Sequence, residues 1–226
     1  MKILEMITSP LWLVIGALVL SLVPIVIGLA TSYLKMSIVI GMLRQGVGAQ
    51  QVPGNLVVAV LSMAMTMLVM GPVLSQSVTG LNKVLESNQE NFVIEKALPD
   101  IFEALKPWKE FLITHSGERE KNFVKQLSKT TNTDQVDSVT ESKDIKSVNV
   151  LLSFILTELK DAFSMAVVTL LPFLVIDIVV SNLLVGLGMY MVSPVMITLP
   201  LKLLVFVLCD GWMLLTRGLI VSYGTI

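Results

Sequence analysis

The 226-residue sequence predicts an all-α protein of kinked helical hairpins, in which two oily blocks flank a polar, mostly helical one. Three observations carry this prediction. Residues from the set AVILMFWYC make up 54% of the chain and charged residues 15%, with a mean hydropathy of +0.81, whereas soluble domains hold roughly 45–50% and about 25%. The charges are segregated, with four of the 33 Lys, Arg, Asp and Glu in residues 1–79, 25 in 80–161 and four in 162–226. No stretch alternates polar and apolar residues for long enough to make a sheet. The domain boundaries therefore read as 1–79, 80–161 and 162–226.

The first uncharged run, Pro10 to Leu34, would extend about 37 Å as a helix, more than a hydrocarbon core of about 30 Å. A cleaved secretory signal fits it less well, because Glu5 offsets Lys2, the run is too long and no A-x-A site follows. Further runs cover Gln45–Asn82, Ala162–Leu184 with Asp177 inside, and Leu187–Leu219 with Lys202, Asp210 and Arg217 inside. Each run carries proline: Pro24, Pro72, Pro172, then Pro194 and Pro200. Interior prolines free helix carbonyls that lipid cannot satisfy. Two readings follow: helices broken inside a protein assembly, or a simple four-span protein with tolerated kinks. The segment 35–55, read as a loop, holds Lys35 and Arg44 and no acid, which places it in the cytoplasm and the polar block on the outer side.

In the polar block, Ile94, Leu98, Ile101, Phe102, Leu105, Trp108 and Leu112 recur at helical spacing. Pro99 and Pro107 suit first-turn positions, so two short amphipathic helices are expected. Phe123, Val124 and Leu127 make a third, weaker stripe, and the polar stretch of about 128–149 reads as a flexible loop.

Composition excludes several chemistries. A net charge of -1 offers no basic footprint for nucleic acid. One histidine, His115, and one cysteine, Cys209, give neither a zinc site nor an internal disulfide. Asp177 and Asp210 lie in Val175-Ile176-Asp177 and Cys209-Asp210-Gly211, which match neither acid motif of an intramembrane aspartic protease. No G-x-S-x-G elbow exists, and Gly46-Val47-Gly48 lacks the third glycine of a dinucleotide loop. No catalytic, cofactor-binding or metal-binding residue is therefore expected.

Asp177, Lys202 and Asp210 are ionisable groups in oily segments and need partners or a wet cavity. Lys202 and Asp210 are about 12 Å apart along one helix, too far to pair within it. Ion pairs that fix helix or subunit packing are one reading, and a proton relay is the other. Two glycines precede Met189, Tyr190 and Met191 and Pro194 follows, so these residues belong on a loop or broken turn. Several copies of such a loop in a ring would form a compliant apolar constriction.

Four sets of residues resemble one known family. They are Leu43-Arg44-Gln45-Gly46-Val47-Gly48-Ala49-Gln50-Gln51-Val52-Pro53-Gly54-Asn55; Glu158-Leu159-Lys160-Asp161-Ala162-Phe163; Leu171-Pro172-Phe173-Leu174-Val175-Ile176-Asp177; and Met189-Tyr190-Met191-Val192-Ser193-Pro194 through Leu199-Pro200-Leu201-Lys202-Leu203 to Asp210-Gly211-Trp212. Together they are similar, in order and over nearly the whole chain, to the FliP/SctR family of type III secretion export-apparatus proteins. The resemblance implies a non-enzymatic pore subunit in a bacterial inner membrane, with residues 80–161 on the periplasmic side. It also implies a helical ring of five copies, joined by smaller SctS-like and SctT-like subunits into a channel for unfolded substrates. The hairpins would then stand largely lifted out of the bilayer. By matching position, the pore-sealing methionine loop falls on Met189, Tyr190 and Met191, with Tyr190 replacing the middle of the commoner three methionines. Val192-Ser193-Pro194 resembles injectisome members more than flagellar ones, which favour Leu-Pro-Pro. The rival readings are half of a secondary transporter and a membrane-anchored sensor.

Overall fold

The computed structural model describes residues 10–48, 54–87, 94–131 and 141–224. Among these the chain is all-helical: α1 (Pro10–Leu29), α2 (Tyr33–Val47), α3 (Asn55–Ser87), α4 (Ile94–Ala104), α5 (Lys106–Thr114), α6 (Glu118–Thr131), α7 (Glu141–Gly186), α8 (Pro194–Leu208) and α9 (Gly211–Val221). Two helical stretches, 55–84 and 147–186, are long and apolar enough to cross a membrane, and α8 with α9 passes as one broken span bent by 62°.

The breaks do not fall where proline would put them. Pro24, Pro72, Pro172 and Pro200 all lie inside continuous helices. The run read as a single span from Pro10 to Leu34 instead stops at Leu29 and restarts at Tyr33. Its linker, Ala30, Thr31 and Ser32, is buried. There Trp108 Nε1 donates to the Ala30 carbonyl at 2.6 Å, satisfying an acceptor that the helix end leaves free. The expected cytoplasmic loop at 35–55 is also largely helix. Lys35, Met36, Val39, Ile40, Leu43 and Val47 form the buried stripe of α2, so Lys35 is no loop charge and cannot vote on orientation.

In α3, Ser62 Oγ donates to the Val58 carbonyl at 2.8 Å and Thr66 Oγ1 to the Ser62 carbonyl at 2.7 Å. These buried hydroxyls are satisfied within their own helix, so they need no aqueous face. Gly80 meets α4 closely: a β-carbon there would lie 3.0 Å from the Ala104 Cα. Pro107 does occupy the first turn of α5. Pro99 does not occupy a first turn; it lies within α4, which begins at Ile94, and its own side chain is exposed.

The stretch expected as a loop, 128–149, is helical at both ends. Residues up to Thr131 finish α6 and residues from Glu141 begin α7, while 132–140 lie outside the described residues. At 46 residues α7 is about 69 Å long, and it runs unbroken through the boundary placed at 161/162. It forms the spine of the fold. Phe154, Ala162 and Phe173 from α7 join Met36, Val39, Ile40 and Leu43 from α2, Met65, Val69 and Met70 from α3, and Phe111 from α5 in one core. The polar block therefore shares its core with the oily blocks.

The stop after α7 follows from Gly188. Gly188 adopts φ +74, its N–H reaches the Val185 carbonyl at 3.0 Å, and the Met189 N–H reaches the Leu184 carbonyl at 2.9 Å. That pair of bonds is the Schellman arrangement, which needs a left-handed residue and is easiest for glycine. Pro194 then opens α8 in its first turn.

Candidate functional site

The segment between α7 and α8 presents its apolar side chains to the outside. Met189 is 44%, Tyr190 79% and Met191 fully exposed, so Tyr190 and Met191 have little packing inside their own chain and Met189 is half-covered. The backbone is nevertheless held. The Tyr190 N–H reaches the Gly188 carbonyl at 3.0 Å and the Val192 N–H reaches the Met189 carbonyl at 3.4 Å.

The two stems of this loop are tied together by charge. Lys202 on α8 donates to Asp177 Oδ2 on α7 at 2.6 Å and to the Gly46 carbonyl at the end of α2 at 3.1 Å. The lysine is buried, while the Asp177 side chain is 40% exposed. A cavity of about 270 Å³ opens beside the pair, lined by Val47, Gly48, Ser181, Pro194 and Thr198 among others. In an oily setting each charge of this pair depends on the other for neutralisation. Asp210, the third predicted charge, is not brought to this site. It is exposed, makes no ion pair among the described residues, and provides the left-handed turn (φ 48, ψ 46) between α8 and α9.

A second charged cluster was not singled out by sequence reasoning. Lys35 Nζ lies 3.2 Å from Glu158 Oε1 and 3.6 Å from Asp161 Oδ2, with Lys35 and Glu158 fully buried. The Tyr223 hydroxyl donates to Glu158 Oε2, and the Lys35 ammonium sits 4.3 Å from the Tyr223 ring centroid. Burial, then the Glu158 carboxylate, push the Tyr223 phenol far above its ordinary range and keep it a donor. The signal available in the sequence was Lys35 itself, a lone cation in an oily stretch, judged by the same rule that marked Lys202.

Three further ion pairs lie among the described residues: Glu103–Lys106, Glu118–Lys121 and Glu120–Lys160. The Lys160 ammonium, 2.9 Å away, holds the Glu120 carboxyl below its usual range. Lys106 does the same to Glu103, and its own pKa rises.

Among the described residues this is an all-helical protein with helices long and apolar enough to cross a membrane, and with an exposed methionine loop whose two stems are tied by an ion pair between a buried lysine and a partly exposed aspartate. Residues 17–219 match the FliP family, and the chain belongs to it. It is similar to the Yop proteins translocation protein R of Yersinia pestis, 39% identical over 94% of this chain and 95% of that one. The virulence protein YscR of Salmonella typhimurium is 34% identical over 96% of this chain and 98% of its own length. The flagellar biosynthetic protein FliP of Caulobacter vibrioides is 34% identical over 91% of this chain and 73% of its own length.

Proposed function

We propose that this chain is a pore-forming, non-enzymatic core subunit of a type III secretion export gate, conducting unfolded secreted proteins across the bacterial inner membrane. About five copies form the ring, joined by SctS-like and SctT-like subunits, with residues 80–161 on the periplasmic side. Membership of the FliP family supports the export role. Similarity to proteins named for Yop translocation and virulence, with the Val192-Ser193-Pro194 step, favours the injectisome type.

The observation that carries the gating role is the exposed Met189-Tyr190-Met191 loop. Exposed apolar side chains at Tyr190 and Met191, on stems tied by Lys202 and Asp177, suit a gasket closed by sister chains. Flexible thioethers would yield to a passing polypeptide and close behind it, while Tyr190 adds a stiffer ring with a hydroxyl. Asp177 and Lys202 set the stem geometry, and Asp210 offers a carboxylate to a neighbouring copy. Replacing Met189 and Met191 together by Ala is expected to make cells leak small ions while secretion persists. Unchanged ion conductance in an assembled complex would remove the gasket role.

A further inference from the structure

The C-terminal helix α9 is held at its two ends by different chemistry. At its start, Asp210 is the sole non-glycine residue with positive φ among the described residues, and α9 leaves α8 at 62°. Aspartate is one of the few side chains that accept this left-handed conformation, so the change of direction is concentrated at one residue. Just past its end, Tyr223 is buried against α2, α5 and α7. Its hydroxyl takes Glu158 Oε2 while Lys35 of α2 takes Glu158 Oε1. Both oxygens of a carboxylate only 1% exposed are thus used, one by α2 and one by the C-terminal segment. The Tyr223 ring also stacks with Phe111 at 6.1 Å and lies 5.3 Å from His115, whose Nε2 is 3.5 Å from the Tyr223 carbonyl. Between these two ends, Leu215, Leu219 and Ile220 face inward, while Met213 and Leu214 are open.

We infer that Tyr223, with Glu158 and Lys35, is a latch that holds α9 against the body of the chain, and that α9 swings about Asp210 as a unit when the phenol–carboxylate bond is lost. Buried polar partners make a sharper switch than apolar contact, because a half-broken pair leaves a dry carboxylate oxygen unsatisfied. The open state would uncover Leu215, Leu219 and Ile220 and leave α2, α3 and α7 packed.

Tyr223→Phe tests this, because it keeps the ring and removes only the hydroxyl. Amide hydrogen exchange of the full-length protein in its detergent-extracted native complex is expected to quicken at least tenfold over residues 211–224. Exchange over 33–47 and 147–186 is expected to stay as in the parent. Unchanged exchange at 211–224 would overturn the latch. Equal acceleration across α2, α7 and α9, or a variant that no longer folds, would also overturn it, since the contact would then be general core packing.

Discussion

Two lysines in oily helices, Lys35 and Lys202, are both buried against carboxylates, yet they serve regions built in opposite ways. Around Lys35 the chain closes on itself: α2, α5, α7 and the C-terminal segment meet, and Phe154, Met36 and Ile40 are fully buried. Around Lys202 it stays open: Asp177 keeps a partly exposed side chain, a cavity adjoins the pair, and the loop between the stems leaves Tyr190 and Met191 exposed. The same device, a lone cation in a greasy segment, completes a core in one place and braces an unfinished surface in the other. The unfinished surface continues along the hairpin, where Val207, Leu208, Met213 and Leu214 are exposed.

Removing a carboxylate from the closed region should have the largest effect. Glu158→Ala leaves the Lys35 charge and the Tyr223 hydroxyl buried without their main partner, and should destabilise the chain by about 3–5 kcal/mol. Phe154→Ala should fall in a similar range of about 3–5 kcal/mol by opening a cavity in the core. Both are read by thermal unfolding in detergent, and losses below about 1 kcal/mol would mean that this region is not the tight one.

Lys202→Ala should act at the open region on assembly more than on folding. The expected outcome is a folded chain that fails to enter the ring on a native gel, and normal ring recovery would count against the brace. Smaller still is the surface pair between α6 and α7. Because Lys160 lowers the folded pKa of Glu120, its contribution is present above the unfolded value near 4.5 and is lost as pH falls through the depressed folded pKa. Solvent screening of the exposed lysine limits it to about 1 kcal/mol or less, so Glu120→Gln should matter slightly at pH 7 and not at all once that carboxylate is protonated in both states. Smallest of all, Leu214→Ala should change single-chain stability by no more than about 0.5 kcal/mol, because its side chain is open.

Much of the helical plan was legible because oily runs and helical stripes are local signals. The turn at Met189–Met191 was legible for the same reason, since Gly188 and Pro194 dictate it within a few residues. What escaped was non-local. The break at Ala30–Ser32 has no glycine or proline; it coincides with a bond from Trp108 in the polar block. Lys35 looked like a loop charge because charge counting treats such side chains as solvated, and its partner Glu158 lies on a distant helix. Proline disfavours a helix interior by its local chemistry, but Pro72 and Pro172 sit within helices that continue past them. The polar residues after Glu141 read as a loop, yet they begin α7, whose Ser147 and Val148 are exposed. The sensor reading is weakened for a related reason, because Phe111 and Trp108 of the polar block pack in the common core and not in one of their own.

If several copies form the proposed ring, their exposed loops converge on one axis. Met191→Cys in a Cys209→Ser background leaves a single thiol at the tip of each loop. Mild oxidation of the native complex should join neighbouring chains through that thiol into covalent dimers, with export arrested until the bond is reduced. A chain that remains monomeric, in a detergent-extracted particle with the mass of one 24.7 kDa copy, would contradict that convergence.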